Sequence, residues 1–254
     1  VIVFTADHHF GHANIIRHCD RPFQSVEEMD RILLKNWNAC IGSRDTVYIL
    51  GDLFDRGATE ADPVGVYFRL SGLQGHVTWI RGNHDCWLAD YIHQYYGMSE
   101  RKQKNYVPYH YNSFELLKQR LTETDMLNLA DLIMRLPLQE KIFINGKKYI
   151  LAHAMTSHPL KQQKPDEYYL TGAKGMVEYF KKGIDGYISL LGHTLSSYIA
   201  GSCDGEYLDE ELKSIWINMK ENVYLMDCGC GFESGRLACM CLETGERYYS
   251  DCGR

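Results

Sequence analysis

The sequence predicts an α/β fold organised on a parallel sheet, and three observations predict it. Residues 1–50 run strand, helix, strand, and that order implies a right-handed parallel crossover. Three β-branched or aromatic runs, 1–5, 46–50 and 77–80, each break off into a cluster of polar residues. Open α/β sheets collect their functional residues at such C-terminal strand ends. The second half adds a hairpin and several more strands, so the sheet system is larger than one crossover unit.

The first run, Val1 to Thr5, ends in Ala6-Asp7-His8-His9-Phe10-Gly11-His12. Ser25-Val26-Glu27-Glu28 is a capping box. Behind it Val26, Met29, Ile32, Leu33, Trp37 and Ile41 recur at helical spacing and predict a helix to about Ile41. Ser43-Arg44-Asp45 turns the chain into 46–50, which stops at Gly51-Asp52-Leu53-Phe54-Asp55-Arg56-Gly57. Asp62-Pro63 opens a short helix that ends near Gly72. The run 77–80 leads into Arg81-Gly82-Asn83-His84-Asp85. An amphipathic helix is predicted over 87–96, a charged, tyrosine-rich surface loop over 99–112, and two helices over 114–121 and 125–136. Thr122-Glu123-Thr124 joins that pair, and the stretch 98–136 reads as a helical insert or cap within a single domain, 1–254. Residues 141–145 and 148–152 form a hairpin about an Asn145-Gly146 type I′ turn, and the second strand runs into His153. The strand 187–191 ends in Gly192-His193-Thr194. The tail reads as antiparallel strands over 215–218, 223–227, 236–242 and 247–250, with a turn at Thr244-Gly245.

Composition narrows the function. The chain has 254 residues, 45% hydrophobic and 24% charged, which suits one large domain with ample core. A net charge of -6 argues against nucleic-acid binding, which is normally served by a basic surface. No run approaches the ~18 apolar residues of a membrane span, and Val1-Ile2-Val3-Phe4 is too short for the apolar core of a signal peptide. Nine cysteines, an odd number at mostly apolar positions, indicate reduced thiols and a cytoplasmic setting. Cys228, Cys230, Cys239 and Cys241 pair at a one-residue spacing, whereas structural zinc takes two to four residues between paired cysteines. They read instead as apolar strand faces.

The strand ends carry Asp7 and His9, then Asp52, Asp55 and Arg56, then Asn83, His84 and Asp85, then His153, then His193. Asp7 and His9 alternate, so both can face one side of a strand end. Asp52 closes a buried run, where an unpaired carboxylate is costly, so it reads either as a helix-capping acid or as a carboxylate shared by two ions. The other clusters favour the shared carboxylate. Carboxylate, imidazole and amide donors suit manganese, iron or zinc. Two ions bridged by one carboxylate acidify a bridging water, which makes hydroxide available near neutral pH for in-line attack on a phosphoryl group. Arg56 is suited to a bidentate clamp on the phosphate, and His84 to protonating the leaving alkoxide. Asp55 is placed to hold one ring nitrogen of His84. His8, His12 and His158 read as supporting or loop histidines, and His18, His76, His93 and His110 as structural or exposed.

This set of motifs resembles the calcineurin-like metallophosphoesterase superfamily, with its D-x-H, G-D-x-x-D, G-N-H-[DE], lone His and G-H-x-H or G-H-T. Here they are Asp7-His8-His9, Gly51-Asp52-Leu53-Phe54-Asp55, Gly82-Asn83-His84-Asp85, His153 and Gly192-His193-Thr194. The resemblance implies a four-layer α/β/β/α sandwich and two divalent ions, manganese foremost, with iron or zinc as alternatives. It implies that Asp7 and His9 bind the first ion, that Asp52 bridges, and that Asn83, His153 and His193 bind the second. It makes His84 the proton donor, oriented by Asp55, and turns Arg56 and Asn83 toward the substrate. Gly51–Gly57 and Arg81–Asp85 resemble the phosphoprotein phosphatase branch, and 225–245 resembles bacterial protein serine/threonine phosphatases and diadenosine tetraphosphate hydrolases. His9-Phe10-Gly11-His12 and Arg21-Pro22-Phe23 instead resemble small bacterial phosphoesterases. Asp85 stands where the phosphoprotein branch has Glu, and Leu195 occupies the position of a second histidine. The implied function is hydrolysis of phosphate monoesters, with protein phosphoserine or phosphothreonine foremost. The alternatives are a nucleotide hydrolase acting on dinucleoside polyphosphates or cyclic nucleotides, and a scaffold without catalysis.

Overall fold

A computed structural model describes residues 1–6, 16, 23–52, 72–108, 113–155, 166–172, 177–209, 214–229 and 235–249. The chain opens with β1 (Ile2–Thr5), α1 (Val26–Cys40), β2 (Thr46–Leu50) and β3 (His76–Ile80). Ser25 caps α1, its Oγ accepting from Glu28 N at 3.2 Å. Glu28 reaches back to the Gln24 amide at 2.8 Å, one residue upstream of where a capping box would place it. β1, β2 and β3 pair in parallel, as the crossover order predicts. The predicted helix 62–72 lies outside the described residues.

The middle of the chain is helical: α2 (Asn83–Tyr96), α3 (Glu100–Gln103), α4 (Phe114–Arg120) and α5 (Glu123–Arg135). Leu88 and Ile92 of α2, Phe114 and Leu117 of α4, and Met126, Ala130 and Ile133 of α5 bury one another. Two expectations need correction here. The helix predicted over 87–96 begins four residues earlier, at Asn83, so Asn83, His84 and Asp85 lie in its first turn. The stretch 99–112 carries the helical turn α3 and is not wholly a loop.

Next come β4 (Gln139–Ile144), β5 (Lys147–Ala152), α6 (Asp166–Thr171), α7 (Val177–Lys182), β6 (Ile188–Leu191) and α8 (Ser196–Ala200). The β4–β5 hairpin turns on Asn145 (φ 49°) and Gly146 (φ 79°), both left-handed as a type I′ turn requires. The chain continues through β7 (Gly205–Tyr207), β8 (Trp216–Asn218), β9 (Val223–Leu225), β10 (Ala238–Cys241) and β11 (Arg247–Tyr249). The tail is not one antiparallel set. β10 joins β1 and β11 in a sheet of order β11-β10-β1-β2-β3, while β9 runs parallel to β6 in a second sheet, β4-β5-β6-β9-β8-β7. β7, which pairs with β8, had no signal in the sequence.

The inner faces of the two sheets share one core, with Phe4, Leu50, Ile80 and Met240 from the first and Leu151, Leu190 and Met226 from the second. Outside the first sheet, Trp37 and Ile41 at the end of α1 cover Val3 and Val47. Outside the second, Tyr169, Tyr179, Phe180 and Ile199 from α6, α7 and α8 cover Ala152, Leu191 and Leu225. The layers are α/β/β/α, as the resemblance implies. Cys228 and Cys241 are buried, and Cys239 packs on Val3 and Ile41. Burial pushes the Cys239 thiol up to about 12, so it stays protonated at neutral pH. Cys230 lies outside the described residues.

Polar side chains complete the outer layer where α7 ends. Asn218, 1% exposed, donates from Nδ2 to Phe180 O at 2.8 Å. Its Oδ1 accepts from Asn222 N at 2.9 Å and Val223 N at 3.1 Å. Asn222 in turn donates to Lys182 O at 3.0 Å. Two amides thus satisfy helix-end carbonyls that α7 cannot satisfy itself. Replacing Asn218 by Ala leaves these groups unpaired and is expected to cost about 3 kcal/mol. Equilibrium denaturation measures this, and an unchanged unfolding midpoint would contradict the reading.

Candidate metal centre

The site is built at the ends of β2, β5 and β6, where the two sheets meet. Gly51 (φ 86°) and Asp52 (φ 54°) follow β2 in left-handed conformations. His193, after β6, has φ 61°. Asp and His tolerate this region better than most residues, yet each such residue carries about 1–3 kcal/mol of strain, a feature that gathers at functional sites. A Cβ on Gly51 would lie 2.2 Å from His153 Nδ1, and one on Gly82 would lie 2.2 Å from Asp52 Oδ1. Glycine at both positions lets the backbone close onto the two side chains.

Asp52 divides its carboxylate between two tasks. Oδ1 accepts from the backbone N–H of His84 at 3.0 Å, in the first turn of α2. Asp52 is therefore a helix-capping acid after all, but for a helix more than thirty residues downstream of β2. Oδ2 lies 3.1 Å from His153 Nε2 and 3.9 Å from His84 Nε2. Asp85 caps the same helix, its Oδ2 accepting from Gly82 N at 2.8 Å. That explains a fully buried carboxylate with no need of a substrate role.

His153 is fully buried, and its Nδ1 sits 2.6 Å from the carbonyl oxygen of Leu50. A carbonyl only accepts, so Nδ1 carries a proton and Nε2 is the ring nitrogen that faces Asp52. The His193 ring stands 5.0 Å from that of His153 at 63°. Donor atoms of Asp52, His153 and His193 all lie within 4.8 Å of one another, the one such cluster among the described residues. Metal bonds of about 2.0–2.2 Å place neighbouring donors on one ion at about the spacing of Asp52 Oδ2 and His153 Nε2. Asn83 opens α2 between Gly82 and His84, both of which touch Asp52. Its Oδ1 is buried without a hydrogen-bond partner among the described residues. A buried amide oxygen without a hydrogen-bond partner, on the helix end that Asp52 caps, fits a divalent cation.

The structure thus brings together Asp52, Asn83, His84, His153 and His193. Asp7, His9, Asp55 and Arg56 lie outside the described residues, as do His8, His12 and His158. Sequence reasoning missed the Leu50 carbonyl and the helical setting of Asn83–Asp85. The second had a signal: glycine followed three residues later by an acid is an N-terminal capping pattern.

The calcineurin-like phosphoesterase family matches residues 1–214 of this chain. A protein of Methanocaldococcus jannaschii is 46% identical over 84 residues, 33% of this chain and 46% of its own length. The gene 66 protein of Mycobacterium phage L5 is 37% identical over 82 residues, 32% of this chain and 38% of its own. The chain therefore spans less than half the length of each of these relatives. Among solved structures, a novel archaeal phosphodiesterase is similar over 98% of this chain and 97% of its own, at 13% identity and a TM-score of 0.40. An Aquifex aeolicus protein of unknown function is similar over 76% of this chain and 78% of its own, at 20% identity and a TM-score of 0.36.

Replacing Gly82 by Ala forces its Cβ onto Asp52 and displaces the carboxylate. The expected outcome is loss of at least half of the divalent metal retained after dialysis, with the circular dichroism spectrum kept. Full retention of metal would show that the close approach at Gly82 is not required.

Proposed function

We propose that this chain, which belongs to the calcineurin-like phosphoesterase family, hydrolyses phosphate monoesters with the aid of two divalent metal ions. The observation that carries the reading is the convergence of Asp52, His153 and His193 from three strand ends in two sheets. Asp52, Asn83, His153 and His193 would hold one ion. From the sequence motif, Asp7 and His9 would hold the other, together with Asp52. Divalent ions supply charge neutralisation at phosphoryl oxygens and acidify water, and manganese, iron and zinc all suit oxygen and nitrogen donors.

The protein's own residues do the rest. The Leu50 carbonyl fixes which nitrogen of His153 faces the site, so one lone pair is always presented. Arg56, read from the sequence, clamps the phosphate. Water adds to phosphorus as the ester P–O bond breaks. His84, near the Asp52 carboxylate, gives its proton to the departing alkoxide, and the products are inorganic phosphate and an alcohol. The Gly51–Gly57 and Arg81–Asp85 motifs bring phosphoserine and phosphothreonine into a substrate panel, with dinucleoside polyphosphates and cyclic nucleotides on an equal footing beside them. No described helix is long and apolar enough to cross a membrane. A reducing, cytoplasmic setting belongs to the same proposal and rests on the odd cysteine count.

The acid role of His84 gives the sharpest test. His84→Asn is expected to slow alkyl phosphates by about 100-fold or more, within the usual range for general acid catalysis. Nitrophenyl phosphate, whose leaving group needs no proton, slows far less. Equal losses on both esters would remove the acid role, and a wild-type protein loaded with manganese that cleaves no phosphoric ester would end the proposal as a whole.

A further inference from the structure

Trp87 follows His84 by one turn of α2, on the same face of the helix. The two rings stand 4.8 Å apart, tilted by 58°. His84 is 9% exposed, and its Nε2 is turned toward the Asp52 carboxylate at 3.9 Å. Trp87 is half-buried, whereas its neighbours Cys86, Leu88 and Ala89 are buried. The indole packs on the apolar cluster of α2, α4 and α5 while one side of it meets the imidazole of His84. An alkoxide that takes a proton from His84 lies within hydrogen-bond reach of that ring, about 3 Å. The group carried by that oxygen is then brought within contact range of the indole. A flat aromatic group gains most from such a neighbour, through offset stacking, and a small aliphatic group gains little.

We propose that Trp87 is a substrate-contacting residue which selects phosphoric esters whose leaving group carries a flat aromatic ring, a nucleoside or an aryl alcohol, over esters of small aliphatic alcohols. The inference rests on the reading of His84 as the proton donor and deepens it from phosphoric esters in general to one class of leaving group. Seryl and threonyl phosphates fall in the disfavoured class.

The test compares adenosine 5′-monophosphate with glycerol 1-phosphate in the manganese-loaded wild type, Trp87→Leu and Trp87→Phe. Adenosine binding by calorimetry is measured on the same preparations. Wild type is expected to prefer the nucleotide in kcat/KM by about tenfold or more, the scale of one base–aromatic stack. Trp87→Leu loses that preference, the nucleotide falling at least about fivefold more than glycerol phosphate, and Trp87→Phe keeps most of it. Adenosine affinity falls at least about fivefold in Trp87→Leu. Equal selectivity in wild type and Trp87→Leu overturns the proposal, as does a wild type with no preference, which decides the matter even where Trp87→Leu fails to fold. If no ester is cleaved, the phosphoesterase reading fails, and adenosine binding still decides on Trp87: weaker binding to the variant supports it and equal binding overturns it.

Discussion

The carboxylate of Asp52 is the group on which the rest of the site depends. It emerges from the first sheet, strained at φ 54°, and one oxygen closes the N-terminus of α2. That oxygen fixes where Asn83, His84 and Trp87 lie, since all three ride on the first turns of the same helix. The other oxygen faces His153, delivered from the second sheet. Two glycines, Gly51 and Gly82, remove the side chains that would otherwise force these pieces apart. The strain is offset by a capping hydrogen bond and by the favourable end of the helix dipole.

The two sheets are held in register at this point from both sides. Below the site, Leu50, Leu151 and Leu190, each at or near the end of its strand, bury one another in the shared core. Above it, the Leu50 carbonyl accepts a hydrogen bond from His153 Nδ1, a bond that crosses from one sheet to the other. A shift of either sheet breaks the core contacts and the histidine orientation together. That coupling accounts for a histidine at full burial, whose Nδ1 has a fixed hydrogen-bond partner in the Leu50 carbonyl.

Much of this was legible in the sequence because strand ends announce themselves. β-branched runs that stop at Gly51, Arg81, His153 and Gly192 leave polar residues at neighbouring strand ends, where open α/β folds gather a site. The type I′ turn at Asn145-Gly146 was equally plain, since few other residue pairs accept its backbone. What the sequence hid depended on distant partners. The helix was read from Trp87 and not from Asn83 because apolar periodicity begins only at Trp87, and one of the groups that caps the helix, Asp52, comes from another strand. β7 is three residues with no alternating pattern, and it exists because Gly205 lets the indole of Trp216 pack where a Cβ would stand 2.3 Å from Cζ2. The division of the tail between two sheets likewise follows from which core face each strand completes, not from its own residues.

The double duty of Asp52 separates cleanly between two substitutions. Asparagine keeps an oxygen that accepts from His84 N and drops the charge, whereas alanine drops both. In chelator-treated protein, Asp52→Asn is expected to be about 1 kcal/mol more stable than Asp52→Ala, the value of one helix cap. Added manganese raises the thermal midpoint of wild type through mass action and leaves both variants unmoved. A manganese-induced rise in Asp52→Asn equal to that of wild type, or equal stability of the two chelated variants, would contradict the account.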